Sequence, residues 1–132
     1  MSWLEALRPV AGPLLDSART WLRAAGHDAP DSSVDAVRLL VAAIDDVAFQ
    51  DDSPEADQAD ERLVEGGGAL LGLALLDRHG GRHDRRGRAH RVLLGRHGTF
   101  DPLRAIHRAL DPDEPAAELR TRPLPPDAAA AA

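Results

Sequence analysis

The sequence predicts an α+β domain that is mostly helical, with about four to five helices and one small β-hairpin near residues 82–95. Three observations predict it. Apolar residues recur at three- and four-residue spacing over most of the first eighty positions. The stretch 82–94 changes to two-residue alternation, and glycine and proline punctuate both patterns. At 132 residues the chain is sized for one domain, residues 1–111, and the Pro/Ala-rich composition of 112–132 predicts a disordered tail.

Taken in order, Ser2 can cap a turn that carries Trp3, Leu4 and Leu7, with Pro9 closing it. Pro13 suits the first helical position of a second piece. Leu14, Ala18, Trp21 and Ala25 line one side of that piece, with Leu15 and Leu22 beside them and Gly26 as its stop. Asp31 to Ser33 supplies caps for the next helix, and Asp35 sits at its positive end. Val34, Val37, Val41, Ile44 and Ala48 form its apolar stripe, flanked by Leu40 and Val47. The Val34–Ala48 stripe also offers a seam for a homo-oligomer, although two heptads are too few to argue a coiled coil.

Ser53-Pro54-Glu55 then reads as a cap, a first-turn proline and an acidic first turn, opening a long helix that runs to His79 and ends at Gly80-Gly81. Its first half is acidic. Its second half, Ala69 to Leu76, is apolar on every side, which marks the buried centre of the fold. Gly66, Gly67, Gly68 and Gly72 together cost this helix about 3–4 kcal/mol relative to alanine. Close approach of a neighbouring element is the simplest compensation. Arg82 to Leu94 follows as a hairpin turning near Arg86-Gly87, with His90, Val92 and Leu94 on one face of its second strand and Arg91 and Leu93 on the other. Asp101-Pro102 opens a closing helix whose apolar face is Leu103, Ile106 and Leu110.

Composition removes several chemistries. The chain has no Cys, so disulfides, thiolate metal sites and Cys nucleophiles are absent together. It has no Lys, which excludes a P-loop and a Schiff-base site, and Gly66-Gly67-Gly68 lies inside a helical pattern and not between a strand and a helix. None of the serines, Ser2, Ser17, Ser32, Ser33 and Ser53, stands in a Gly-x-Ser-x-Gly elbow. Glu61 and Glu65, four apart, read as a solvated helix face and lack the calcium-loop pattern around them. All sixteen basic residues are Arg, and Asn and Tyr are missing too. That bias follows GC-rich coding, so a bacterial source is expected and the arginines alone do not argue bidentate recognition. The start lacks a basic leader pattern, and the longest uncharged run, Gly66 to Leu76, is eleven residues. A cytoplasmic protein with no membrane partner is therefore expected.

Over residues 62–110 the order of elements resembles a class of small uncharacterised bacterial domains of unknown function. The resemblance is carried by the apolar helix with Gly68-Ala69-Leu70-Leu71-Gly72, by Gly80-Gly81, by a short two-stranded piece, and by a closing turn with Phe100 and Pro102. Members of that class place an aromatic after the second glycine pair, where this chain has Arg82-His83. The resemblance implies the topology and no activity.

The unusual stretch is Arg78 to Arg108, with nine Arg and five of the six His against Asp84 and Asp101. The preceding segment, Asp28 to Glu65, carries twelve acids and two Arg. Three readings compete for the basic block. His79, His83, His90 and His97 offer imidazoles to a metal, but the His-x-x-x-His pair straddles Gly80-Gly81, where a helix ends. The hairpin 82–97 can lie along a nucleic acid or another polyanion, although it has no aromatics for stacking and the chain has a net charge of −6. The favoured reading pairs the arginines with the chain's own acidic helices or with a partner protein.

The expectation is thus a non-catalytic protein–protein interaction module, with no cofactor, no metal and no catalytic set. An adaptor, a regulatory subunit or an immunity-type protein fits it. The partner is expected on Arg82, Arg85, Arg86, Arg88, Arg91, Arg96 and His97. Nucleic-acid or polyanion binding through the same hairpin is the alternative, and an enzyme built on His90, His97 and Asp101 comes third.

Overall fold

The computed structural model of the chain describes residues 2–48, 54–86 and 89–110. Its architecture is α+β and mostly helical. The elements run α1 (Trp3–Ala6), α2 (Arg8–Ala25), α3 (Ser33–Ala48), α4 (Pro54–Arg62), a π-turn (Leu63–Gly67), α5 (Gly68–His79), β1 (Arg82–Arg86), β2 (Ala89–Leu93), β3 (Thr99–Phe100) and α6 (Pro102–Ala109). The expected tail at 112–132 and the Ser53 cap lie outside the described residues. Among the described residues no helix is long and apolar enough to cross a membrane.

Ser2 caps α1 as its spacing predicts, its Oγ accepting the Glu5 N–H at 3.2 Å. Pro9 does not close this turn. It stands in the first turn of α2, where a missing N–H goes unnoticed. The interruption falls instead at Ala11 (φ −146°, ψ 47°), two residues before Pro13, whose ring a straight helix would drive against an upstream carbonyl. Beyond the break Leu14, Leu15, Ala18, Trp21 and Leu22 are buried. The end is a Schellman turn: Gly26 takes φ +75°, its N–H bonds Arg23 O at 3.1 Å, and the His27 N–H bonds Leu22 O at 2.8 Å.

Helix α3 is capped by Ser32, whose Oγ accepts the Asp35 N–H at 3.1 Å. The expected stripe is rotated on this helix. Ala36, Leu40 and Ile44 form the buried line, Val37, Val41 and Val47 are partly buried beside it, and Val34 is 38% exposed. Helical spacing is compatible with either line: the buried one repeats at four, the expected one alternates three and four, and the two share Ile44. The line that is buried is the one α3 packs on α5.

That centre is the glycine-rich helix. From Gly66 to Leu76 every residue is buried, and α2, α3, α6 and β2 all pack on α5. The close approach anticipated for the glycines is there. A Cβ on Gly66 would lie 2.0 Å from Trp21 Cβ, one on Gly68 would lie 2.7 Å from Leu103 Cα, and one on Gly72 would lie 3.2 Å from both Leu14 and Pro102. The helix is not α throughout. Leu63–Gly67 forms a π-turn, an extra residue accommodated where the glycines have removed the side chains that would crowd it.

Strand β1 pairs antiparallel with β2 in the register Arg82↔Leu93 to Arg86↔Ala89. A third strand, which alternation over two residues gave no means to predict, pairs Val92 with Phe100 and Leu93 with Thr99. Gly81 is held to glycine twice over, by φ +127° and by Leu93 O, 2.1 Å from any Cβ. Asp101 caps α6, its Oδ1 accepting the Arg104 N–H at 3.0 Å, and Pro102 follows in the first turn. The buried face of α6 is Pro102, Ala105, Ile106 and Ala109, so Leu103 and Leu110 flank it and do not centre it.

Candidate functional site

Strand alternation divides the hairpin into two chemically different faces. Residues directly opposite in an antiparallel pair share a face, so the register puts His83, Arg85, His90 and Val92 on one side. Val92 and Leu94 are buried there against the helices, as the two-residue alternation predicts. Arg82, Asp84, Arg91 and Leu93 belong to the other side, with Thr99 beside Leu93. Among the described residues no helix buries this outer face: Arg82 and Thr99 are exposed, and Asp84, Arg91 and Leu93 are half-buried.

The seven residues expected to meet a partner therefore do not stand together. Arg82 and Arg91 are on the outer face, and Arg86 occupies a strand position of the same parity. Arg96 is exposed on the turn Gly95–His97 that joins β2 to β3. Arg85 is on the inner face, across from His90. His97 is half-buried, its ring centre 5.1 Å from that of His79. Arg88 lies outside the described residues. Arg91 faces Asp84 at 3.7 Å, a half-exposed pair that contributes at most about 1 kcal/mol. Arg82 and Arg96 form no ion pair among the described residues.

The inner face borders a cleft of about 440 Å³. Leu14 and Ser17 of α2, Val64 and Glu65 of the π-turn, Ala69, Arg85, His90 and Leu103 line it. Here Glu65 of the π-turn stands across from Arg85 and His90 of the hairpin. Sequence reasoning missed it, because its walls come from six different elements. One part was legible. Two-residue alternation put His90 on the face of Val92, and the register, with His83 opposite Val92, brings His83 diagonally beside His90 on that face.

These two histidines are bonded to each other. His83 Nε2 lies 2.8 Å from His90 Nδ1, the ring centres are 5.0 Å apart and the ring planes differ by 13°. Each ring nitrogen is about 1.1 Å from its own centre, so the two nitrogens fall almost on the line joining the centres. The rings are thus edge to edge in nearly one plane, with the nitrogens aimed head-on. One donates and one accepts, so the pair holds a single shared proton in that bond, and a second proton there would set two N–H groups against each other.

Both histidines are shifted below their ordinary range. Burial dominates for each. For His83 the neighbouring His90 adds to it, Asp84 opposes and Arg85 assists. For His90, Arg85 adds to burial while Asp101 and Glu65 oppose. His79 is lowered as well, by burial first and then by His97 and Arg78, and neither of its ring nitrogens has a hydrogen-bond partner among the described residues.

The four histidines weighed as a metal set are thus held two by two, at different places. Head-on nitrogens suit a shared proton and not a common metal, which needs lone pairs converging on a third point. Among the described residues no group of three or more His, Cys, Asp or Glu is placed to hold a metal ion. Comparison with protein-family models, with curated proteins and with solved structures gives no match.

Proposed function

We propose that this chain is a non-catalytic protein–protein interaction module of an adaptor, regulatory-subunit or immunity type, which engages its partner through the outer face of the three-stranded sheet. The observation that carries the reading is the division of the hairpin. One face is spent on the core and the cleft, and the other presents Arg82, Arg91 and Leu93, with Arg96 exposed on the turn that follows β2 and, among the described residues, no helix over them. A basic rim around a half-buried aliphatic residue suits an acidic protein surface, and charge of this kind favours encounter and partner choice more than raw affinity.

The cleft supports the non-catalytic part of the reading. His90 Nδ1 is engaged by His83, where the base of a Ser-His-Asp triad has that nitrogen held by a carboxylate that stabilises the imidazolium. A second imidazole whose own proton affinity is lowered by burial does the opposite. Ser2 and Ser32 act as helix caps.

The test is affinity capture from the source cell at low salt, with nuclease treatment in parallel and an Arg82→Glu/Arg96→Glu variant as bait. One protein recovered with and without nuclease, and lost with the variant, is expected. Loss of all bound material on nuclease treatment would favour the polyanion reading, in which affinity falls by orders of magnitude between about 50 and 200 mM salt.

A further inference from the structure

The outer face of the sheet is not flat. At one end it holds a concavity of about 500 Å³ lined by Gly81, Arg82, Leu93, Gly95, Gly98 and Thr99. The three glycines all have positive φ, so this wall is bare main chain that side chains do not fill. Arg82 pairs with Leu93 across β1 and β2, and Leu93 pairs with Thr99 across β2 and β3. A guanidinium, an aliphatic floor and a hydroxyl therefore stand in one row across the sheet, spanning about 10 Å at two strand spacings.

We propose that this row is the seat for an acidic segment of the partner protein, with a carboxylate on Arg82 and an adjacent aliphatic side chain on Leu93. The inference rests on the interaction reading above and narrows it to one place and one chemistry. Charge complementarity selects the occupant. Arg82 and Arg96 have no ion-pair partner among the described residues, and a carboxylate matches the planar fork of a guanidinium. A polynucleotide fits less well. The middle of the row is apolar, Asp84 lies on the same face, and no aromatic ring stands in the row for a base to stack on.

The probe is a labelled synthetic peptide with glutamates flanking a leucine, titrated against the full chain at low salt. A lysine version of the peptide and an oligo-dT serve as comparisons. Two variants fill the concavity without touching an arginine. Thr99→Trp enlarges an exposed strand residue. Gly95→Asn adds a side chain where a Cβ meets nothing within 4 Å, in a left-handed conformation (φ +62°) that asparagine tolerates. Circular dichroism checks that each is folded, and either one folded suffices.

The expected result is binding of the acidic peptide alone, weakened at least tenfold by Thr99→Trp, by Gly95→Asn and by Arg82→Glu. No peptide binding, binding indifferent to the filling variants, or tighter binding of oligo-dT would overturn the seat. The two levels separate with the captured partner. A partner released by Arg82→Glu/Arg96→Glu but not by the filling variants leaves the module reading standing and removes the seat. A partner indifferent to both removes the outer face from the account.

Discussion

Gly66→Ala is expected to destabilise the fold although it places a better helix former inside a helix. On propensity alone the change gains about 1 kcal/mol. Against this, the new Cβ would lie 2.0 Å from Trp21 Cβ, 2.6 Å from Trp21 Cγ and 3.3 Å from Ser17 O. Carbon atoms pack at about 3.5–4.0 Å, so Trp21 must retreat by roughly 1.5 Å. The atom in the way is a Cβ fixed to the α2 backbone and not the end of a flexible chain, so the helix itself has to move. Over-packing of this kind costs about 1–3 kcal/mol and sometimes more. Taking the upper end, the net loss is about 2 kcal/mol, or about 10 °C in melting temperature for a domain of this size. Gly12→Ala is the control, since a Cβ there meets nothing within 4 Å, and it is expected to be neutral or to stabilise by up to about 1 kcal/mol. Urea unfolding followed by circular dichroism measures both. A Gly66→Ala protein as stable as the parent would refute the argument that the glycines of this helix are there for packing.

Three further outcomes follow from the same geometry. His79, His83 and His90 have folded pKa values below the ordinary imidazole value of about 6.5, so between the two values the unfolded chain binds more protons. Stability is therefore complete above about pH 6.5 and declines as pH falls through the folded values. Melting temperatures between pH 7.5 and 5.5 should drop, and less steeply in His83→Gln/His90→Gln; a flat or rising profile contradicts the burial assignment. Trp3→Phe removes the indole N–H that the buried Pro30 carbonyl accepts at 2.8 Å, and is expected to cost about 1–2 kcal/mol in urea unfolding, with no loss indicating that water replaces the donor. Asp101→Ala should cost about 1 kcal/mol by uncapping α6 and, in an NMR titration, move the His90 midpoint lower still, because a carboxylate that raises it is gone. An unmoved midpoint would mean that Asp101 acts on the helix alone.

The local grammar of this chain was readable without a structure because its causes are local. Ser2, Ser32 and Asp101 cap their helices, Gly26 and Gly80 end theirs, and Val92 and Leu94 face inward on a strand, each for reasons contained within a few residues. The glycine-rich helix announced itself as the centre, since no other position satisfies a segment apolar on all sides. Tertiary packing decided everything that depends on two distant segments meeting. It chose Ala36, Leu40 and Ile44 over the equally periodic valines. It put a π-turn where Trp21 presses on Gly66, and it added β3, a strand too short to show a period. It also sorted the arginines and histidines, which in sequence form one basic block. Register sends Arg85, His83 and His90 to the inner face and Arg82 and Arg91 to the outer face, because strand parity, invisible to composition, assigns each side chain its neighbours.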